Sequence, residues 1–201
     1  MKRAWIAILA PLPAKEEMVQ GIRELQKRLL VETISSVYEA TIISHGIKER
    51  IFSVVLAVKT DVEPHALYEL LYQYKKKMQH YHKQKYPIQE AGQKTQNKSS
   101  GNSPNSVSIQ VKTQISIELL YYEHAMIAQE GLHVPFLHLE TFDYLLYPLV
   151  EIAPDLVHPY TGKPYRTYCN KTEIAKTEEG TQRELKSIVR TYAFSAFQEI
   201  P

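Results

Sequence analysis

The order of apolar and amphipathic segments in the first part of the chain constrains its fold more than any other feature of the sequence. Four apolar or β-branched runs predict strands, at residues 4–10, 31–44, 51–58 and 107–122. Apolar residues recur every three or four positions in residues 14–30 and again after Asp61 and Pro64, which predicts two helices between these strands. The resulting β-α-β-β-α-β order is typical of the ferredoxin-like fold, an α+β antiparallel sheet with helices on one face.

Further helices are predicted after this sheet. Thr141 is placed to cap a helix, and Pro148 is expected to bend or divide that helix because proline removes one backbone hydrogen bond. The spacing of apolar residues in 181–197 predicts a final helix within a C-terminal extension at residues 160–201. A length of 201 residues suits one domain, so we expect a single domain over the whole chain.

A polar segment precedes the fourth predicted strand. Residues 89–106 consist largely of Gln, Asn, Ser, Gly and Lys, which bury too little apolar surface to offset the entropy of ordering them. We therefore expect a mobile loop there. Lysines and histidines are frequent at the end of the helix before it, but the formal net charge of +2 gives no global sign of a nucleic-acid-binding protein.

Composition also limits the chemistry and the compartment. Cys169 is the single cysteine, which excludes an intramolecular disulfide and any metal site built from several cysteines. No run approaches the roughly 18 apolar residues that span a bilayer, so no membrane association is expected. The chain begins MKRAWIAILAPLPA, basic and then apolar as in a signal peptide. Its apolar run is short and an amphipathic helix follows directly, which favours a first strand and a cytoplasmic protein.

Two motifs give the chain a resemblance to a known family. The first is SSVYEA at residues 35–40, and the second, at residues 144–159, is YLLYPLVEIAPDLVHP. Val134 and Pro135 precede the second motif in a short loop. Over residues 3–159 the sequence resembles the 6-hydroxymethyl-7,8-dihydropterin pyrophosphokinases. That resemblance implies transfer of a pyrophosphoryl group from ATP to a pterin in folate biosynthesis, with Mg²⁺ as the metal ion.

The resemblance places the metal site on the fourth predicted strand. The family has an L-D-x-D-x pattern there, in which both carboxylates face one side of the strand and bind Mg²⁺. The matching run in this sequence is ISIEL, with Ser116 in place of the first carboxylate and Glu118 in place of the second. By resemblance, Glu118 is the remaining catalytic residue and metal ligand. Ser116 and Glu118 also fit the polar face of an ordinary amphipathic strand.

Pterin-binding positions are implied in the same way. Tyr144 matches an aromatic residue that stacks on the flat pterin ring. The family's aromatic-x-Asn pattern on the third strand is matched by Ile51 and Ser53, with Phe52 between them. The resemblance therefore makes Tyr144, Phe52 and Ser53 the candidates for substrate binding, although a core role for Tyr144 is equally compatible with its spacing.

Phosphate-binding positions depart furthest from the family. The Arg-Trp-Gly-Pro-Arg loop is replaced by the polar segment, Phe136 stands in place of a histidine, and Phe142 in place of an arginine. Lys83, Lys85 and Lys112 are the candidates for contacting phosphate in place of the missing arginines. A solvated basic helix face explains the first two lysines without a ligand.

Two functions from different classes fit these observations. The first is a pterin pyrophosphokinase-family protein whose turnover is weak or absent, because each lost catalytic group commonly costs ~10²–10⁴ in rate. The alternative is a non-catalytic scaffold on the same fold that binds a pterin, a nucleotide or a protein partner. Nucleic-acid binding is a weaker third hypothesis, since the sequence has no Lys/Arg-Gly-Phe-x-Phe run and little net charge.

Overall fold

The computed structural model of the protein describes residues 1–44, 47–85, 114–169 and 188–194. The strands are β1 (Lys2–Pro11), β2 (Leu30–Ile34), β3 (Val37–Ser44), β4 (Ile47–Thr60), β5 (Ser116–Tyr122), β6 (Ile127–Gln129), β7 (Leu132–Val134) and β8 (Ile188–Tyr192). The helices are α1 (Lys15–Gln26), α2 (Pro64–Lys85), α3 (Asp143–Ile152) and α4 (Arg166–Cys169). The loop predicted at residues 89–106 lies outside the described residues.

The main sheet has the strand order β5-β1-β4-β3-β8, and β2 also pairs with β4. All of these pairs are antiparallel. The predicted second strand is divided at Ser35, whose hydroxyl accepts a hydrogen bond from the Val55 amide at 3.0 Å. With β2 and β3 counted as one strand, the β-α-β-β-α-β order is as predicted, and the α+β ferredoxin-like class is confirmed.

Helices α1 and α2 cover one face of the sheet and enclose the larger of the two cores. Fully buried side chains of this core include Ile6 and Ile8 from β1, Met18 and Ile22 from α1, and Leu67 and Leu71 from α2. Gly21 permits the close approach of the helices, because a Cβ at that position would lie 2.5 Å from the terminal methyl carbon of Met78. Within the described ranges, none of the helices is long and apolar enough to cross a membrane.

Helix α3 packs on the opposite face of the sheet, over a second core. This core combines Trp5, Ala7, Val55 and Ala57 from the sheet with Leu145, Leu146 and Leu149 from α3. The helices of the β-α-β-β-α-β unit therefore share one face, as predicted, while the later helix α3 covers the other.

Helix α3 continues through Pro148 without interruption, so of the two predicted effects of this proline, a bend or a division of the helix, the division is wrong. Proline has no N–H, which leaves the carbonyl of Tyr144 without its usual helical donor. The hydroxyl of Ser53 supplies the missing bond, donating to that carbonyl at 2.5 Å. The N-cap of α3 is Phe142 rather than Thr141, because Thr141 belongs to a short 3₁₀ turn before the helix.

The final helix predicted over residues 181–197 is wrong in the part that the structure describes. Ile188–Tyr192 forms β8, which pairs with β3 and places Tyr192 opposite Val37. β-Branched and aromatic side chains in this segment favour an extended chain. The edge of β3 also offers backbone hydrogen bonds. Tertiary pairing therefore overrides the helical spacing of the apolar residues.

Candidate functional site

Two polar side chains of the edge strand β5 face the same side of the sheet as α3. Ser116 lies opposite Leu9 of β1, and Glu118 lies opposite Ala7. Alternate residues of a strand share a face, and Ile117 between them packs in the core beneath α1 and α2. The structure thus brings together the two positions that the resemblance assigned to metal binding.

A lysine from α2 occupies the neighbourhood of Glu118. Lys75 Nζ lies 2.8 Å from Glu118 Oε1, and the two side chains are only 26% and 23% exposed. The hydroxyl of Ser116 donates to the same carboxylate oxygen. The charge of the remaining carboxylate is therefore already neutralised by an ammonium group within the protein.

These residues do not fit the magnesium site that the resemblance implies. Mg²⁺ requires near-octahedral oxygen ligands at about 2.0–2.1 Å and is usually held by at least one carboxylate that is free to bind it. Here one carboxylate oxygen accepts hydrogen bonds from both Lys75 and Ser116. Among the described residues, no group of three or more His, Cys, Asp or Glu side chains could hold a metal ion.

Three aromatic rings lie side by side near the start of α3. We call these residues, Phe136, Phe142 and Tyr144, the aromatic row. The ring centroids of Phe136 and Phe142 are 6.3 Å apart, and those of Phe142 and Tyr144 are 5.6 Å apart. Two members of the row stand in place of the histidine and the arginine of the family. The row can pack against a flat ring, but it offers no positive charge to a phosphate.

Tyr144 lies within electrostatic reach of Glu118. Burial, with a further contribution from the negative charge of Glu118, raises the pKa of the Tyr144 phenol to about 12. The phenol therefore stays protonated well above neutral pH. Ser53, the neighbouring candidate, is fully buried, and its hydroxyl donates to the Tyr144 carbonyl. The structure thus brings these two predicted substrate-binding residues together, with Ser53 in direct support of the helix.

Phe52 does not lie on the same side of the sheet as Tyr144 and Ser53. Neighbouring residues of a strand point to opposite faces, and Phe52 packs in the core beneath α1 and α2, whereas Ser53 lies on the α3 side. Its position therefore gives no support to the predicted role of Phe52 in substrate binding.

A shallow depression of about 90 Å³ opens beside Glu118. Its other walls include Tyr68, Gly131, His133, Phe136 and Leu137. Sites for drug-sized ligands commonly measure about 300–1,000 Å³. In this conformation the depression is too small to enclose a nucleotide, so binding of one requires either a shift of these walls or a largely exposed ligand.

Of the predicted phosphate-binding lysines, the structure describes the side chain of Lys83. It is exposed on α2, two turns beyond Lys75, which corresponds to about 12 Å along the helix axis. Lys85 is the last residue of α2, and Lys112 lies outside the described residues. Among the lysine side chains that the structure describes, Lys75 is the one that contacts Glu118.

A signal in the sequence could have identified Lys75. It follows Leu71 by four residues and precedes Met78 by three, so it lies on the helix face that those two buried side chains occupy. Lysine is rarely buried without a partner. A lysine beside the core face of α2 therefore predicts a nearby carboxylate partner, and Glu118 of the edge strand β5 provides it.

The C-terminal end of α3 is fixed to the start of β3 by Glu151. The Glu151 carboxylate accepts hydrogen bonds from the Ser36 amide at 2.9 and 3.1 Å and from the Ser36 hydroxyl at 3.0 Å. Burial and a hydrogen bond to Glu151 raise the pKa of the Tyr38 phenol. Ser36 and Tyr38 belong to the first motif and Glu151 to the second, so the two motifs that carry the resemblance contact each other and stabilise the fold.

Comparison with known proteins agrees with this resemblance. No model of a known protein family matches the chain. The chain is 29% identical over 151 residues to the 2-amino-4-hydroxy-6-hydroxymethyldihydropteridine pyrophosphokinase of Aquifex aeolicus. The match covers 75% of this chain and 79% of that protein.

Two longer proteins, both named for folic acid synthesis, are also similar. Identity to fol1 of Schizosaccharomyces pombe is 37% over 57 residues, which cover 28% of this chain and 8% of that protein. Identity to FOL1 of Dictyostelium discoideum is 22% over 144 residues, which cover 72% of this chain and 18% of that protein. The chain thus spans a small part of either one. Together the three matches confirm the resemblance to pterin pyrophosphokinases that the two motifs predicted.

Proposed function

We propose that this chain is a divergent pterin pyrophosphokinase-like protein of folate biosynthesis, which binds a 6-hydroxymethylpterin and has weak or absent pyrophosphoryl transfer. The observation that carries the proposal is the position of Tyr144. It matches the ring-stacking residue of the resemblance, and it lies at the start of α3 within electrostatic reach of Glu118. An aromatic side chain at this position can stack on a flat heterocyclic ring.

The expected weakness of turnover follows from the reaction that the resemblance implies. The pterin hydroxyl oxygen attacks the β-phosphorus of ATP, the bond from that phosphorus to the oxygen of AMP breaks, and one proton is released. Little covalent help is needed, but the phosphate charges must be neutralised and held in line. Ser116, Phe136 and Phe142 replace a carboxylate, a histidine and an arginine. Each such loss commonly lowers the rate by ~10²–10⁴, and the combined loss is large even without full additivity.

ATP is the proposed nucleotide, and Mg²⁺ is its expected companion if the protein is active. Lys83, Lys85 and Lys112 are retained as proposed contacts to phosphate, acting as point charges in place of arginines. A pterin and ATP are therefore the proposed small-molecule partners, and a cytoplasmic location is part of the same proposal.

Titration calorimetry with 6-hydroxymethyl-7,8-dihydropterin tests the proposal. We expect saturable binding that weakens about tenfold in Tyr144→Ala, since stacking of a flat heterocycle on an aromatic side chain is worth about 1–3 kcal/mol. The matched control is Tyr160→Ala, which removes a tyrosine that is 71% exposed in the loop after α3. Absence of pterin binding by the unaltered protein, or equal losses in both variants, would overturn the proposed pterin site.

One observation favours the alternative of a non-catalytic, partner-binding scaffold. The remaining carboxylate of the metal position is already paired with Lys75. A scaffold would bind neither pterin nor nucleotide in the titrations. Pterin binding without AMP formation would instead support the proposal above.

A further inference from the structure

We propose that Lys75 takes the place of a divalent cation at this site, so that the protein binds the polyphosphate of a nucleotide without needing magnesium. The inference rests on the proposed function in one respect, the presence of a nucleotide at this site. It departs from the resemblance, which implies a metal held by two carboxylates. Glu118 is then the counter-ion of the lysine, and it is not a metal ligand.

The position of Lys75 supports this role. Its side chain leaves the core face of α2 and ends 2.8 Å from Glu118 Oε1, with 26% of the side chain exposed. An ammonium group has three N–H donors, and the bond to Glu118 uses one of them. Within the described residues Glu118 is the hydrogen-bond partner found for Lys75 Nζ, so two N–H groups can contact phosphate oxygens. A lysine presented in this way binds phosphate as a point charge.

The same geometry disfavours a metal ion. A magnesium ion bound to either oxygen of Glu118 would share the single negative charge of that carboxylate with Lys75 Nζ, which lies 2.8 Å from Oε1. Ser116 donates its proton to that oxygen and cannot replace the second carboxylate with a negative charge. The side chains of Glu118, Lys75 and Ser116 carry charges of −1, +1 and zero, respectively. One ammonium replaces the larger positive charge of bound metal, so we expect modest nucleotide affinity.

The first test compares nucleotide binding with and without metal. α,β-Methylene-ATP, which does not transfer its pyrophosphoryl group, is titrated into the full chain in EDTA and then in excess MgCl₂. We expect the dissociation constant in EDTA to be equal to or lower than that in MgCl₂, because magnesium reduces the charge on the nucleotide that Lys75 attracts. A dissociation constant more than about threefold higher in EDTA, or no binding in either buffer, would overturn the inference.

Substitutions of the two partners give opposite predictions for a lysine site and a metal site. Lys75→Met removes the ammonium at similar length, and we expect the analogue to bind more than about threefold less tightly in EDTA. Glu118→Gln keeps the lysine and removes its counter-charge, so binding is expected to equal or exceed that of the unaltered protein. Weaker binding in Glu118→Gln with unchanged binding in Lys75→Met is the pattern of a metal site and would contradict the inference.

A second salt bridge of the sheet supplies the matched control. Lys59 Nζ lies 2.7 Å from Glu32 Oε1, with side chains 37% and 24% exposed, at the opposite end of β1 from Ser116. We expect Lys59→Met to leave analogue binding unchanged. Melting temperatures establish that each variant is folded. If Lys75→Met does not fold, Glu118→Gln and the metal comparison on the unaltered protein still decide the question.

Failure of this inference can be told apart from failure of the proposed function. Pterin binding that depends on Tyr144, together with nucleotide binding that requires magnesium, would sustain the proposed function and reject the role of Lys75. Nucleotide binding that depends on Lys75 in EDTA, without any pterin binding, would sustain the role of Lys75 and reject the pterin site.

Discussion

The two ends of α3 differ in what their residues do for the protein. At the C-terminal end, Glu151 fits the motif and bonds directly to the amide and hydroxyl of Ser36. At the N-terminal end, Phe136 and Phe142 stand where the resemblance implies a histidine and an arginine, and Lys75 neutralises the carboxylate of Glu118. The first set of contacts joins the helix to the sheet, whereas the second set occupies the positions that, under the proposed function, correspond to phosphate contacts.

Under the proposed function, this difference indicates which parts of a sequence stay constrained when a reaction weakens. A group that satisfies a backbone amide contributes to folding stability, so its removal is costly whatever the protein does. A group that contacts only a ligand contributes to binding and rate, and the fold does not depend on it. Similarity that is concentrated in α3 and β3 therefore reports the fold more directly than it reports turnover.

The largest effect on stability is expected at Ser53 of β4, whose hydroxyl supports the N-terminal end of α3. Ser53→Ala removes the hydroxyl that donates to the Tyr144 carbonyl, and Pro148 has no N–H with which to replace it. We expect the free energy of unfolding to fall by about 2 kcal/mol, the usual penalty for an unsatisfied buried acceptor. Urea denaturation measures this value.

A double-mutant cycle makes that prediction specific. Pro148→Ala restores a backbone N–H four residues after Tyr144, so it should recover about half of the loss when combined with Ser53→Ala. If the two changes are additive within about 0.5 kcal/mol, the Ser53 hydroxyl does not replace the missing helical donor. In that case a role for Ser53 in substrate binding would be favoured over a role in supporting the helix.

The next effect is expected at the C-terminal end of the helix. Glu151→Ala removes the acceptor of the Ser36 amide and hydroxyl, and we expect about 1 kcal/mol of destabilisation, since the contact is partly exposed to solvent. Asp155→Ala is the control, because its carboxylate is 85% exposed and its removal should change stability by less than about 0.5 kcal/mol. Equal effects of the two changes would show that Glu151 does not anchor α3 to β3.

The smallest effect is expected from Tyr144→Phe, and it depends on pH. The pKa of the Tyr144 phenol is about 12 in the folded protein, whereas an unfolded tyrosine titrates near about 10. Between these values the unfolded chain releases a proton that the native protein keeps, so stability is fully present below pH 10 and falls as the pH rises. The decline in unfolding free energy above pH 10 should be shallower in Tyr144→Phe. Identical slopes would show that the phenol is not held protonated at the site.

The element order and the sheet could be predicted from the sequence because apolar periodicity reports burial directly. β8 could not, since the pairing of Ile188–Tyr192 depends on an edge of β3 that only the tertiary fold provides. The sequence made both Phe52 and Ser53 candidates for substrate binding, whereas strand alternation places these neighbours on opposite faces of the sheet. The Lys75–Glu118 pair joins residues far apart in sequence. The sequence indicated this pair only through the position of Lys75 on a helix face that is otherwise buried.

The central claim, that the site at the N-terminal end of α3 has lost most of its transfer chemistry, is tested most directly by AMP formation in a single turnover. The full chain in excess over ATP, with MgCl₂ and 6-hydroxymethyl-7,8-dihydropterin, is compared with the Aquifex aeolicus pyrophosphokinase under the same conditions. We predict a rate of AMP release more than about a hundredfold lower in this chain, because several positioned groups are absent. Release within about a hundredfold of that relative would contradict the claim.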